Sequence, residues 1–237
     1  MGGEQPEICD TSHDVQARAL SEGHTLPSNR PLTAVRRAAR IVFCAALAVI
    51  AANPSAANAG YAIAMHGAPA LPVNFAAMPY VNAQAPKGGR LVEGMLGTFD
   101  SLNPLIVLGL SVQAVRGFVY ESLLARGYNE PFTLYGLLAR GVETDDARDY
   151  VTFSIDPAAR FSDGVPVTAD DVVFSWSLLR DHGLPNHRTY YSKVLRAEIL
   201  DKYTVRFDLA GDNRELPLIL GLMPVLPKHA INVATFE

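Results

Sequence analysis

Cysteine is nearly missing from this chain. The 237 residues hold two, Cys9 and Cys44, and both precede Gly60. The remainder has no thiol, which excludes a disulfide framework and a thiolate metal site there. Catalytic signatures are missing as well. There is no glycine-rich phosphate loop, no Gly-x-Ser-x-Gly elbow, no His-Glu-x-x-His pair and no Cys-x-x-Cys, so nothing marks a nucleotide site, a serine nucleophile or a zinc protease. His182 and His187 are the closest histidines, but Pro185 between them breaks helical ligand spacing and no third ligand stands nearby. Asp145, Asp146, Asp149 and Asp156 lie beside a polar turn and read as a solvated face rather than as paired catalytic acids. No metal, no cofactor and no enzymatic activity are therefore expected. Basic residues are too few and too scattered for a nucleic-acid stripe: 20 Lys and Arg stand against 24 Asp and Glu, for a net charge of -4. No apolar run reaches the about 20 residues that cross a bilayer, and internal repeats and low-complexity tracts are lacking.

What is present begins with an export leader. Arg36, Arg37 and Arg40 form a basic region, residues 41–52 are apolar, and Ala57-Asn58-Ala59 before Gly60 has the small-x-small pattern of a cleavage site. The chain thus divides into residues 1–59, an N-terminal extension plus signal peptide, and residues 60–237, the exported part. The residues after Arg36-Arg37 fit a twin-arginine signal poorly, which favours the general secretory route. Cys44 sits too early in the apolar stretch, after Val42-Phe43, to be a lipidated cysteine. Residues 1–35 are polar and aperiodic ahead of a basic region that normally opens a chain, so translation is expected to start further in, near Leu32 or Val35. Acidic and basic side chains balance before Gly60, so the acidic excess belongs to the exported part, where 49% apolar composition overall supports a globular core.

Alternation and punctuation give the elements. Residues 90–95 read as a strand after Gly88-Gly89, and 112–126 as a helix with Val115, Phe118, Val119 and Leu123 on one face. Residues 150–155 read as a strand, and 194–199 with 203–209 as an antiparallel pair around Leu200-Asp201-Lys202. Residues 216–222 form an apolar piece, helical or extended, stopped by Pro224 and Pro227. Mixed strands and helices with short connections predict an α/β or mixed α+β lobe.

The densest information lies in residues 161–176, Phe-Ser-Asp-Gly-Val-Pro-Val-Thr-Ala-Asp-Asp-Val-Val-Phe-Ser-Trp. Asp163-Gly164 is a turn dipeptide. Thr168 caps a helix to about Arg180, Asp171 reaches back to it, and Asp170 places a negative charge in the first turn. Val172, Val173 and Trp176 then follow at helical spacing, which makes Trp176 a core anchor.

The same run resembles a signature of the extracellular solute-binding proteins, family 5, of peptide and nickel ABC importers. Pro86-Lys87-Gly88-Gly89-Arg90-Leu91, followed by Gly97-Thr98-Phe99-Asp100-Ser101-Leu102-Asn103-Pro104, is similar to that family's first strand and the turn after it. His66-Gly67 through Leu71-Pro72, with Met78-Pro79-Tyr80-Val81-Asn82, resembles its oligopeptide and microcin-C-type branch. The resemblance implies the N-terminal lobe of a two-lobed periplasmic binding protein, monomeric, capturing oligopeptides for the permease subunits of an ABC importer. It implies ligand contacts at Leu108, Gly109 and Leu110, in the loop after Asn103-Pro104, and at Tyr190 and Tyr191. The loop lacks the acidic residue that greets a peptide amino group in some relatives. Family members are more than twice as long, so a truncated receptor missing its closing lobe is expected, with the apolar run 216–226 left uncovered. Two other functions compete: a ligand-free lobe that docks on a transporter or another chain, and a small secreted hydrolase, which the lack of a nucleophile-base pair disfavours.

Overall fold

Strand formation follows alternation most plainly at Thr204–Leu209, where Val205, Phe207 and Leu209 are buried and the residues between them are half-exposed. The computed structural model describes residues 58–236; the predicted leader and the two cysteines lie outside that range, apart from the last residues of the cleavage pattern. Within it the strands are β1 (Asn58–Gly60), β2 (Ala62–Ala64), β3 (Leu124–Arg126), β4 (Thr133–Gly136), β5 (Ala139–Thr144), β6 (Tyr150–Ile155), β7 (Val194–Asp201) and β8 (Thr204–Leu209). The helices are α1 (Gln113–Val119), α2 (Ala169–His182), α3 (Pro185–Tyr191) and α4 (Leu216–Gly221). One sheet has the order β1-β5-β6-β8-β7 and the other β2-β4-β3, and every pairing is antiparallel. The expected mixed α/β architecture is present.

Helix α2 starts where its sequence says. The Asp171 carboxylate accepts from the Thr168 N–H at 2.9 Å and from its hydroxyl at 2.7 Å, while its other oxygen accepts from the Lys228 N–H at 3.1 Å. One buried acid thereby closes the helix end and pins a distant loop. Ser175 does the same one turn on, accepting from the Leu226 N–H at 2.8 Å and donating to the Asp171 carbonyl at 2.6 Å. Trp176 is buried as predicted. Its ring meets Phe207 edge-on with centroids 6.0 Å apart, its indole N–H donates to the Tyr191 carbonyl at 3.1 Å, and the Arg180 guanidinium lies 4.5 Å from its centroid.

Three expectations are corrected. Residues 90–95 form no strand, and Leu91, Val92 and Met95 stand exposed; alternation makes a strand only where a neighbour accepts its hydrogen bonds. The predicted helix 112–126 stops at Val119, with Phe118 and Val119 exposed rather than packed. Its second half is claimed by sheet pairing: the Glu121 carbonyl accepts from Val225, that of Leu123 accepts from Leu137 and Ala139, and residues 124–126 pair with β4. Finally, the run 216–226 is not an uncovered patch. Leu216, Leu218, Leu220, Met223, Val225 and Leu226 are all in the core, because the short helix α4 and the backbone ties to Glu121 and Ser175 fold it inward.

Candidate functional site

Asn103 shapes the loop that the sequence singled out. Its side-chain oxygen accepts from the Leu105 N–H at 3.1 Å, its own N–H donates to the Ser101 hydroxyl at 3.1 Å, and its side-chain amide donates to the Phe236 carbonyl at 3.0 Å. Pro104 and Leu105 are buried, which roots the loop in the core. Its far end returns to Asp100 and Ser101: both backbone N–H groups donate to the Leu110 carbonyl, and the Leu110 N–H donates to an Asp100 carboxylate oxygen at 2.5 Å. Gly109 has φ +83, and a Cβ there would lie 2.7 Å from that same oxygen. Glycine is thus required first for closing the loop.

The loop faces helix α3. Ile106, Val107, Gly109 and Leu110 line a cavity of about 350 Å³ with Leu184 and Pro185, whereas Leu108 points outward and is 65% exposed. Pro185 does not break a helix, as the sequence reading expected, but begins one. At the first helical position the missing N–H has no partner to lose and the fixed φ suits the turn. The helix then carries His187 and Tyr191 one turn apart, and their rings stack with centroids 5.4 Å apart and an interplanar angle of 6°. Tyr191 is buried at 3% exposure, and burial pushes its phenol well up. Tyr190 is half-buried against the core. The five residues predicted for ligand contact therefore divide: Gly109 and Leu110 line the cavity, Leu108 is on the surface, Tyr190 is partly accessible, and Tyr191 lies inside.

The sequence weighed His187 only as a metal ligand beside His182 and set it aside because Pro185 read as a breaker. The signal was there, in a proline followed at helical spacing by His187 and Tyr191. The imidazole is 3% exposed, with Nε2 3.4 Å from the Arg116 Nη2 of helix α1. A guanidinium can only donate, so Nε2 accepts and the proton sits on Nδ1. That Nδ1 has no partner among the described residues. Burial, and then the Arg116 charge, lower the imidazole to about 4, which keeps it neutral near pH 7. Arg116 also lines a second cavity, of about 530 Å³, with Gly117, Tyr120, Ser122, Arg126, Leu222 and Pro224.

Elsewhere a cavity of about 540 Å³ adjoins β2, but the Arg148 side chain in it is engaged with protein, donating to the Arg214 carbonyl at 2.6 Å and the Ala64 carbonyl at 2.7 Å. His229 and Asp163 pair at 2.6 Å, and this bond holds the Asp163 carboxyl below its usual range. The pair joins the Asp163-Gly164 turn to the loop after Pro227. Among the described residues there is no group of three or more potential metal ligands.

Residues 133–236 match the family described as Bacterial extracellular solute-binding proteins, family 5 Middle. Peptidoglycan-binding protein YepA of Agrobacterium fabrum is 44% identical over 206 residues, which are 83% of this chain and 33% of that protein. The chain belongs to this solute-binding family. YejA of Escherichia coli, described as uncharacterized, is 35% identical over 183 residues, 77% of this chain and 30% of that one. The chain thus spans about a third of the length of the curated relatives it matches. Among solved structures, NikA from Brucella suis in complex with Fe(III)-EDTA aligns over 55% of this chain and 26% of its own, at 22% identity and a TM-score of 0.47. AppA from Bacillus subtilis in complex with a nonapeptide aligns over 58% and 28%, at 22% identity and a TM-score of 0.46. The family is one of extracellular solute-binding proteins.

Proposed function

We propose that this chain is the N-terminal part of a periplasmic solute-binding protein that captures oligopeptides, peptidoglycan-derived peptides among them, for the permease subunits of an ABC importer. The observation that carries the reading is the closed loop at residues 100–111 set against the start of helix α3, which leaves a cavity of about 350 Å³ whose wall mixes apolar side chains with Thr98, Ser111 and the loop backbone. Such walls tolerate varied side chains, while backbone groups pair with a peptide's amides. The names of relatives support the ligand class: Peptidoglycan-binding protein YepA, and the Agrobacterium fabrum protein called Probable peptide-binding protein YejA, 40% identical over 159 residues. Leu108, Gly109, Leu110 and Tyr190 are the contacts proposed here, with Tyr191 acting through His187. A thermal melt with a mixed di- to octapeptide library tests the reading. A ligand that binds only the folded state must raise its melting temperature, so an upward shift is expected, and an unmoved cooperative transition contradicts it. That second outcome favours a ligand-free docking module instead, a role to which the exposed Leu91, Val92, Met95 and Leu96 are suited.

A further inference from the structure

The cavity beside helix α1 has a one-sided charge. Among the described residues, Arg116 and Arg126 are its only ionisable lining residues apart from Tyr120, and none that lines it is a carboxylate, although the chain as a whole carries a net charge of -4. No ion pair within the described residues joins either guanidinium to an acid. Behind Arg116 stands His187, buried, neutral and locked in one tautomer by what a guanidinium can donate. A buried N–H left unpaired, as on its Nδ1, is costly and calls for a reason. The Tyr191 ring stacks on one face of the imidazole, and the Arg116 guanidinium meets its Nε2 at 3.4 Å.

Resting on the reading of the chain as a peptide binder, we propose that this cavity is a subsite for a carboxylate of the ligand. Arg116 is the anchoring cation, Arg126 a second cation on the same wall, and His187 the positioning residue that acts through Arg116. A guanidinium fork matches the two oxygens of a carboxylate, and such charge-assisted bonds are the strong ones. A neutral imidazole suits this duty better than an acid would, since it orients the guanidinium without neutralising it.

The test compares trialanine as free acid, trialanine amide, and the amide of Ala-Glu-Ala, each titrated calorimetrically into the chain. The free acid is expected to bind about 10- to 100-fold tighter than the amide, the range that one charge-assisted bond supplies. Recovery of the preference by Ala-Glu-Ala amide would assign the subsite to an acidic side chain, and no recovery would assign it to the peptide's terminus; both support a carboxylate site. Arg116→Gln should abolish the preference for the free acid over the amide, and a preference that survives the substitution overturns the subsite. His187→Phe, which keeps an aromatic ring against Tyr191, should reduce the preference, and His187→Gln, whose amide oxygen can accept the same bond, should restore it. A merely structural role for His187 would move the melting temperature and both affinities together. Equal affinity for acid and amide overturns the subsite and leaves the peptide-binding reading standing, whereas no binding of any of the three peptides overturns both.

Discussion

His187 exchanges protons differently in the two states of the chain. The unfolded imidazole takes up its proton near pH 6.5, while the folded one, buried and beside Arg116, does so only near 4. Between those values the unfolded state holds more protons, so stability falls as pH falls, by roughly 1–3 kcal/mol across the window. Denaturant melts from pH 7 to pH 4.5 should show that slope, and His187→Phe should flatten it; parallel slopes for the two proteins would contradict the assignment. Asp171 is the other residue on which much depends, since its two oxygens serve the cap of α2 and the Lys228 N–H from a buried position. Asp171→Ala should cost about 2–3 kcal/mol in chemical denaturation, with a cap and a charge-assisted bond lost together. Thr168→Ala should cost less, because the carboxylate keeps its bond to the backbone N–H of residue 168.

Among the elements, α2 was legible because every local cue agreed: turn dipeptide, cap, acidic first turn and an apolar stripe ending on Trp176. The strand Tyr150–Ile155 was equally plain from β-branched and aromatic residues. Residues 112–126 misled for a physical reason. Helical periodicity at Val115, Phe118 and Val119 is real, but the backbone from Glu121 onward gains more from pairing with β4 and Val225, and a local pattern cannot register a distant partner. Residues 90–95 show the converse, a strand pattern without a neighbour. The loop at 100–111 was found by resemblance, yet its internal logic was not visible, since nothing in the sequence says that Asp100 occupies the space beside Gly109. Gly109→Ala should therefore destabilise the loop by about 1 kcal/mol or more, from the positive φ and the close approach together, and reduce any peptide-induced rise in melting temperature. An unchanged rise would detach the loop from binding.

Across the whole molecule, two kinds of apolar surface are separated. The core runs from Phe153 and Phe207 in the five-stranded sheet to Leu220 and Met223 beyond it, and it absorbs the run 216–226 that the resemblance to a longer receptor left uncovered. A second set, Leu91, Val92, Met95, Leu96, Phe99 and Leu102, remains exposed, Leu96 fully so. Surfaces of this kind associate. Sedimentation of the chain at rising concentration should show an increasing apparent mass, and the double variant Leu91→Lys, Leu96→Lys should stay monomeric; identical behaviour of the two would place any association elsewhere. The central claim, that peptide binds against the loop at 100–111 and helices α1 and α3, is tested most directly by amide hydrogen exchange with and without the peptide library. The account predicts slowed exchange at residues 100–119 and 184–191. Slowing confined to the cavity beside β2, or no slowing anywhere, would contradict it.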